Sequence, residues 1–449
     1  MSDINQIVTS TITRTSATAT LPGFGVPGVF SQFSAGSKGF AASGNGSRTK
    51  NYYDAADMLS DGWAATDSAY LWASAVFAQS PRVPKIHVGR IDSGDASVAA
   101  SGDAIRAENG DFYCFEVVGN RSIVFTLSTA LITGNSIAST INGTTIATTV
   151  FATDHATTMN AWKTAIQTAI TGATATVSGN TMTVTLVGKD LSSGTCVVTL
   201  GATQPTVAIT YSLDTTKTKS WMAWAEGQKK ILFVQDSDVA QYAADTGVIG
   251  TACLGEYARL MSYERTAVVY HATPSEYLAA AWIGDQLPYD PGANTWAFKT
   301  MSSVSVDNLT SSQEALIRGK GINVYTLTAG TASTFAGTCA KAQRYIDDQR
   351  FLDWQDTQIK LDYTNLQFQA GKIPFTDTGI QMVKLMVQAA LEKGVKAGGW
   401  APGSISVTAP KAADVSGTNK ANRNLPDVKW SATLAGAVHT VVVTGSVSV

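Results

Sequence analysis

The chain has 449 residues, of which 44% are hydrophobic, so it is long enough for about three globular domains with ordinary packed cores. Its 32 basic and 34 acidic residues give a net charge of -2, which argues against binding to duplex nucleic acid or to an anionic membrane surface, because both need concentrated positive charge. Charged residues make up only 15% of the chain, which indicates either surfaces that face other proteins or a β domain rich in threonine and serine.

Targeting segments, membrane spans and cysteine frameworks are not visible in the sequence. The first residues, MSDINQ, lack the basic flank and apolar core of a signal peptide, and no apolar run approaches the roughly 20 residues of a membrane helix. Cys114, Cys196, Cys253 and Cys339 are scattered, which is typical of reduced thiols and not of a zinc site or a disulfide framework. We therefore expect a protein that is made and folds in a cytoplasm, without membrane insertion.

The first predicted element is a β-branched segment at the N-terminus. It contains Ile7, Val8 and Ile12, and a stretch rich in glycine, serine and proline follows it as a flexible tether. We predict that residues 1–20 are an N-terminal arm donated to another copy of the chain, with these three residues in the contact.

An α/β middle domain is predicted over residues 21–110 and 217–330. In its first part, a short strand lies within 24–33, a helical pattern covers 52–77, and an apolar strand covers 85–91. In its second part, apolar runs predict further strands; they cover 231–235, 267–270, 296–298 and 322–327. Alternation of strands and helices predicts a sheet that is at least partly parallel, with helices on its faces.

One helix start in the middle domain has an unusually complete signature. Thr273 stands as a cap, Pro274 at the first helical position and Glu276 at capping-box spacing, and Gly284 follows as a stop signal. The pattern predicts a helix between these residues.

Between the two parts, residues 111–216 have a different character. Short runs such as FYCFEVV, SIVFTL and CVVTL are separated by glycine and asparagine turn signals, and residues 177–186 are typical of a hairpin. One helix is predicted over 159–170. We interpret residues 111–216 as a mostly β domain inserted into the α/β host.

A C-terminal α+β domain is predicted over residues 331–437. Thr378 and Gln381 have capping-box spacing for its second long helix and Gly394 stands as terminator, and strands are expected around Ile405 and Trp430. Two apolar stripes predict the buried faces of its helices, and they consist of Tyr345, Leu352, Ile359, Tyr363 and Leu366 in the first helix and of Ile380, Val383, Val387 and Leu391 in the second.

Residues 438–449 predict a terminal strand. Val441, Val443, Val447 and Val449 share one side of a period-two pattern, and no tight-hairpin sequence precedes them. A strand with an unpaired edge is an aggregation hazard unless it is used, and the recurring use is addition to another chain's sheet. We predict that these four valines contact a second copy.

Two short motifs are candidates for chemistry. The segment 23–28 matches GxGxxG, but a flexible tail precedes it and Pro27 removes a backbone donor, so dinucleotide binding is not predicted. Asp236 and Asp238 follow an apolar run, where carboxylates hold Mg²⁺ in some α/β enzymes. A metal-dependent α/β enzyme using these two residues is therefore the alternative hypothesis, and its rival is simple capping of the next helix.

The remaining ionisable residues do not indicate a catalytic group. The four histidines are too scattered for a metal site. A charged segment is expected to be a solvated or interface-facing surface, and it contains Lys341, Arg344, Asp347, Asp348, Arg350 and Asp353. No catalytic residue, cofactor site or metal site is predicted.

Several segments, in order, resemble contractile tail sheath proteins of bacteriophages. They are YYDAADMLSDGWAATDSAYLWASAVFAQSPRVPKIHVGR, PGANTWAFKTMSSV, INVYT, KIPFTDTGI and LPDVKWSATLAGAVHTVVVTGSVSV. The resemblance covers about residues 50–105 and 218–449. Each motif is degenerate, and their order makes the set specific.

The resemblance implies an α/β sheath core with extended N- and C-terminal strand arms that join copies into hexameric rings and helical stacks. It implies a non-enzymatic structural subunit in the virion tail, assembled in the host cytoplasm, that surrounds a tail tube protein and meets baseplate and tail terminator proteins. The stack would contract to drive the tube through the host envelope, without direct nucleic-acid contact. We expect the insertion to point outward, because it needs free space.

Overall fold

The structure, a computed structural model, describes residues 23–445. Its strands are β1 (Gly28–Gln32), β2 (Thr49–Tyr52), β3 (Ile86–Ile91), β4 (Cys114–Val117), β5 (Arg121–Leu127), β6 (Ser136–Ile141), β7 (Thr144–Val150), β8 (Ala173–Ser178), β9 (Thr181–Leu186), β10 (Gly194–Thr199), β11 (Val207–Leu213), β12 (Ile231–Asp236), β13 (Thr266–Tyr270), β14 (Tyr325–Thr328), β15 (Thr331–Thr334), β16 (Ser406–Thr408) and β17 (Lys429–Ser431). Its α-helices are α1 (Ala55–Ser60), α2 (Ser68–Phe77), α3 (Val98–Glu108), α4 (His155–Ala169), α5 (Thr215–Glu226), α6 (Leu254–Leu260), α7 (Leu278–Gln286), α8 (Ser311–Gly319), α9 (Ile346–Ala370), α10 (Asp377–Lys396) and α11 (Gly417–Ala421).

A six-stranded sheet with the order β13-β12-β4-β1-β3-β2 forms the centre of the structure. All neighbouring strands are parallel except β2, which pairs antiparallel with β3 at one edge. Every residue of β12 and β13 is buried, because helices cover both faces of a parallel sheet. The predicted fold class, a mixed α/β core with an inserted mostly β domain, is confirmed.

Two hydrophobic cores lie on opposite faces of this sheet. Val29 and Phe233 point into the first core, which α2, α7, α9 and α10 cover. Phe30 and Leu232, their neighbours in sequence, point into the second core, which α3, α5, α6 and α8 cover. The period-two alternation of side chains along each strand thus supplies both cores.

The insertion has a core of its own between two antiparallel sheets, β10-β6-β7 and β11-β5-β9-β8, with α4 closing one side. Trp162 of α4 packs against Phe125, with ring centroids 5.3 Å apart, and its indole nitrogen donates to Ser139. Asp154 accepts from the backbone of Thr157 and starts the helix. The hairpin and the helix predicted in this region are both present.

Strand β4, which contains most of the FYCFEVV run, belongs to the central sheet and not to the insertion. It pairs with β1 on one side and with β12 on the other. The prediction that places it in the inserted domain is wrong, because a short apolar run buried on both faces shows no alternation that would separate host from insertion.

Several predicted elements of the host differ in the structure. The helical pattern over 52–77 is two helices, α1 and α2, separated by a turn in which Gly62 has φ of +89°. Residues 296–298 form no strand; Trp296 is buried and its carbonyl accepts from the indole of Trp282. Helix α3 is absent from the predicted elements, since its small residues give a weak apolar stripe.

The capping signature around Thr273 does not start a helix. Helix α7 begins at Leu278, and the Glu276 carboxylate accepts instead from the backbone and hydroxyl of Ser305. Gly284 lies inside α7 against α2, where a Cβ would come within 2.6 Å of the Val76 carbonyl oxygen. The glycine therefore permits close helix packing and does not end the helix.

The two long helices of the C-terminal region, α9 and α10, pack on each other. The stripe predicted for α10 is buried, but Thr376 and not Thr378 caps the helix, and Gly394 lies within its last turns. The stripe predicted for α9 is wrong in part: Tyr363 is 40% exposed, while Phe351 and Trp354 lie in the core. The second half of α9 extends past the core, so its apolar residues have less to pack against.

Two residues of the charged segment around α9, Arg350 and Asp353, are buried, contrary to the predicted surface, and the other four are half-buried. Arg350 is buried and donates to the carbonyl oxygens of Phe24 and Leu287, both at 3.0 Å. Asp353 is also buried, and the two guanidinium nitrogens of Arg265 reach its carboxylate at 2.6 and 2.8 Å. Tyr113 donates to the same carboxylate at 2.8 Å.

None of the helices described is both long and apolar enough to cross a membrane.

Candidate assembly surfaces

Backbone hydrogen bonds fix the C-terminal segment to the core as far as Ala435. The amide of Ala401 donates to the carbonyl of Thr433 at 2.8 Å, and the amide of Ala435 donates to the carbonyl of Gly399 at 2.9 Å. An isolated antiparallel bridge joins Trp400 to Leu434. These bonds run along the chain that follows α10, so the segment leaves the core at a defined place.

Among residues 23–445, His439 is the last one that the core holds. Its Nε2 atom lies 3.0 Å from the hydroxyl of Thr295, and its ring meets Phe298 and Tyr345 edge-on, with centroids 5.6 and 5.2 Å away. The three partners come from two separate parts of the chain, so the ring joins the terminal segment to both.

Residues 440–445, which follow His439, are exposed. Val441, Val442 and Val443 are 78%, 93% and 84% exposed, and no strand pairs with them within the described residues. Leaving three consecutive valines in water forgoes the free energy of burying them. The other predicted contacts, Ile7, Val8, Ile12, Val447 and Val449, lie outside the described residues.

Close to this segment's root lies a very small sheet with open edges. Strands β16 and β17 pair over three residues each, and all three residues of β17 are exposed. Trp430 in β17 is 41% exposed, and its ring lies 5.6 Å from that of Trp400. A two-stranded sheet of this size is marginal in isolation and offers backbone donors and acceptors to a further strand.

The carboxyl group of Asp347, which lies beside the His439 anchor, has a raised pKa. Burial, reinforced by the charge of Asp348, raises the pKa of Asp347 to about 6, although its own backbone and Thr295 partly offset the effect. Its Oδ1 atom is buried and has no hydrogen-bond partner within the described residues. The ionised form of Asp347 therefore destabilises the fold around the anchor.

We expect Asp347→Asn to stabilise the monomer at neutral pH. Because the folded pKa exceeds the unfolded one, the folded state binds the proton more tightly, and the penalty appears as pH rises from about 4 through 6. The variant should be more stable than wild type by about 1 to 3 kcal/mol at pH 7.5, with little advantage at pH 4. Urea unfolding at a series of pH values measures this; an advantage independent of pH would contradict it.

Asp236 and Asp238, the residues of the alternative enzyme hypothesis, are both used locally. Asp236 is buried and accepts from the side chain of Gln241 at 2.6 Å, and burial raises its pKa. Asp238 accepts from the amide of Ala240 at 2.9 Å and caps a 3-10 turn. No group of three or more histidine, cysteine or acidic residues within the described residues is placed to hold a metal ion.

Where an α/β sheet usually holds a ligand, the chain itself takes part of the space, beside a cavity of about 440 Å³ lined by Gln32, Ile91 and Asn120 among others. The strand order reverses between β1 and β4, the position at which ligands bind in doubly wound folds. There the carboxylate of Asp190, from the insertion, accepts from the amides of Gly119, Asn120 and Arg121 at 3.0 to 3.1 Å. This loop occupies the position that an anionic ligand would take.

The GxGxxG segment forms no dinucleotide loop either. Gly28 opens strand β1, whereas the dinucleotide loop needs a helix after the glycines. A Cβ on Gly28 would lie 3.1 Å from the side chain of Phe115, so this glycine permits strand packing.

The sequence pattern predicts the terminal strand segment, but it does not predict which residues of the core contact that segment. Thr295 is 144 residues from His439, and the apolar pattern predicts a strand at Phe298. In the sequence, the PGANTWAFK segment stands out only through its resemblance to sheath proteins. That sheath-like segment occurs together with residues 434–439, LAGAVH, and this joint occurrence is the one sequence signal that links Thr295 and Phe298 to His439.

No family model matches the sequence, and no curated protein matches it. The fold is shared with a chain of a solved baseplate, the six-fold symmetrised cryo-EM structure of the anti-feeding prophage. That chain is 12% identical, with a TM-score of 0.52, and the match covers 95% of this chain and 94% of the other. The predicted resemblance to contractile tail sheath proteins is thereby confirmed as a likeness of fold.

A crystal structure of a sheath tail protein from Listeria innocua also matches. It is 14% identical and the match covers 86% of this chain and 88% of the other. The TM-score of 0.38 is too low for conclusions from its details.

Proposed function

We propose that the protein is a structural subunit of a contractile tail sheath that polymerises by donating its terminal strands to neighbouring copies. The observation that carries the proposal is the exposed run of Val441, Val442 and Val443 directly after the His439 anchor. A fixed root followed by an unpaired apolar segment is suited to completing a sheet in another chain. The fold shared with a prophage baseplate chain supports the same class of protein.

The acceptor in this proposal is the open sheet of β16 and β17. A donated strand gains about 0.5 to 1.5 kcal/mol per hydrogen bond and about 1.5 to 3 kcal/mol per buried valine, while ordering costs about 1 to 2 kcal/mol per residue. One arm alone is therefore marginal. Residues 1–20, with Ile7, Val8 and Ile12, would supply a second arm, and two arms acting together fix each copy in a lattice through avidity.

The partners follow from this role. Copies would form hexameric rings stacked helically around a tail tube protein, bounded by baseplate and tail terminator proteins, in a virion tail assembled in the host cytoplasm. During contraction, rigid cores would move past one another while the tethers keep the strands paired. The driving force would be better contact between cores in the shortened state.

Negative-stain electron microscopy of the purified full-length chain tests the proposal. We expect tubes or stacked rings above a critical concentration, with a lag that seeds abolish, because the first ring lacks acceptors for its arms. A chain that stays monomeric at high concentration, with or without seeds, would count against a sheath role.

The metal-dependent enzyme remains the second candidate only because Asp236 is the last residue of β12 and Asp238 follows the strand. Since both carboxylates are bonded within their own turn, we expect Mg²⁺ or Mn²⁺ at millimolar concentration to leave the thermal midpoint of the wild type unchanged. A metal-dependent rise that Asp236→Ala removes would revive the enzyme hypothesis. Exposed Asp57 serves as the matched control, as Asp57→Ala.

A further inference from the structure

The insertion has a surface almost without charge. Between residues 118 and 213 the charged residues are Arg121, Asp154, Lys163, Lys189 and Asp190, and Arg121 and Asp190 are buried at its base. Threonine or serine occupies about every third position. A surface of this size that meets only water normally carries mixed charges.

One outer surface, the front face, is formed by the outward side chains of the sheet β11-β5-β9-β8. The strand register places Thr176 opposite Thr183, Thr183 beside Val124, and Val124 opposite Thr210, which makes one continuous row across four strands. The rows on either side are built the same way, and apart from Val124 and Ala208 every outward position carries a hydroxyl group.

The opposite outer surface, the back face, is formed by the sheet β10-β6-β7. Val197 is 56% exposed and lies opposite Ala138, and Val150 at the edge is 66% exposed. Thr140 and Thr195 are hydrogen-bonded to each other at 2.8 Å, so their hydroxyl groups satisfy one another. The back face is therefore uncharged and more apolar than the front face.

The chemistry of the two faces favours a second copy of the same chain as their partner. A charged partner would find no complementary charge. A glycan partner would need exposed aromatic rings to stack on, but the aromatic residues of the insertion, which the structure describes in full, are buried or half-buried: Phe125, Phe151, Trp162 and Tyr211. Two uncharged sheets can pack face to face at about 10 Å, as in a sandwich.

We propose that the front face of one insertion packs on the back face of the insertion of an adjacent copy. The inference rests on the proposed polymer, because each face offers only about 300 Å² from its short strands, which is too little to hold two free proteins together. The contact is directional, front to back, and so it can continue from copy to copy around a ring. It forms only after the terminal arms have brought the copies together.

Cysteine cross-linking in the full-length chain tests this contact. The pair Thr176→Cys and Val197→Cys places one thiol on each face, and a bismaleimide spanning about 10 Å matches the distance between packed sheets. On a denaturing gel of assembled material, we expect the chains to shift to dimers and higher multiples. The same variant lacking residues 440–449 should stay monomeric, because the faces alone do not associate.

Three controls keep the outcomes distinct. Wild type reports on the native cysteines, each single variant reports on like faces meeting, and Thr176→Cys with Gln167→Cys uses an exposed position on α4, which belongs to neither face. Tubes that form without cross-links, or a Thr176→Cys single variant that cross-links as well as the pair, would overturn the front-to-back contact and leave the sheath proposal standing. Failure of wild type to form tubes would overturn both.

Discussion

Deleting residues 440–449 is expected to abolish polymers while leaving the monomer folded. The deleted segment begins directly after His439, the last residue of the described part that the core holds, and the described valines of the segment are exposed. Electron microscopy and sedimentation should show no tubes, and the thermal midpoint of the monomer should equal that of wild type. Tubes formed by the truncated chain would refute strand donation by the C-terminus.

Point variants distinguish strand pairing from a non-specific apolar contact. In a donated strand Val441 and Val443 share one side and Val442 takes the other. We expect Val441→Asp with Val443→Asp to cost about 3 kcal/mol or more and to raise the critical concentration about a hundredfold or more. Val442→Asp, at a position that is 93% exposed in the monomer, is the control and should change the critical concentration far less. Equal effects of both variants would argue for a non-specific apolar contact.

The truncated chain should also act as a terminator. It keeps the acceptor sheet of β16 and β17 but has no C-terminal strand to donate, so it joins a growing end and offers no arm to the next copy. Small amounts mixed with wild type are therefore expected to shorten tubes in proportion to their fraction. Tube length that is insensitive to the truncated chain would contradict the role of the terminal strand in growth.

Replacing Asp353 by alanine is expected to destabilise the core by about 3 to 5 kcal/mol, because the substitution leaves the guanidinium of Arg265, whose side chain is only 14% exposed, without its partner. The carboxylate holds both guanidinium nitrogens of Arg265 and the hydroxyl of Tyr113, and so it joins α9 to the central sheet. Urea unfolding followed by tryptophan fluorescence measures the loss.

The matched control lies about one turn further along the same helix. Asp356 is a half-exposed carboxylate that pairs with Lys229 and Lys360, and Asp356→Ala should cost about 1 kcal/mol or less. Arg265→Met combined with Asp353→Leu should recover part of the loss, since no buried charge is then left alone. An Asp353→Ala variant as stable as the control would show that the pair contributes little.

Much of the fold follows from local patterns. The apolar residues 231–234 of β12 predict a buried strand, the Ser178-Gly179-Asn180 turn predicts a hairpin, and the stripe of α10 predicts its buried face. In each case the pattern that specifies the element lies within about ten neighbouring residues, where periodicity and turn chemistry act.

The features that the sequence does not predict depend on partners far along the chain. In the sequence Asp353 is typical of a surface charge, because its partner Arg265 is 88 residues away. Gly284 is typical of a helix stop, because the residue it packs against, Val76, belongs to another helix. The anchor of His439 likewise combines distant segments. Local spacing predicts the terminal strand but gives no information on where it leaves the core.

The base of the insertion is tightly fitted to the host. A Cβ on Gly119 would lie 2.5 Å from the backbone of Gly188, and one on Gly188 would lie 2.4 Å from the carbonyl oxygen of Gln32. At the turn between β8 and β9, which lies at the end of β5 away from Arg121, a Cβ on Gly179 would meet nothing within 4 Å. Foreign peptides for multivalent display on a particle should therefore be grafted at this turn, whereas a graft at the base would separate the insertion from the host.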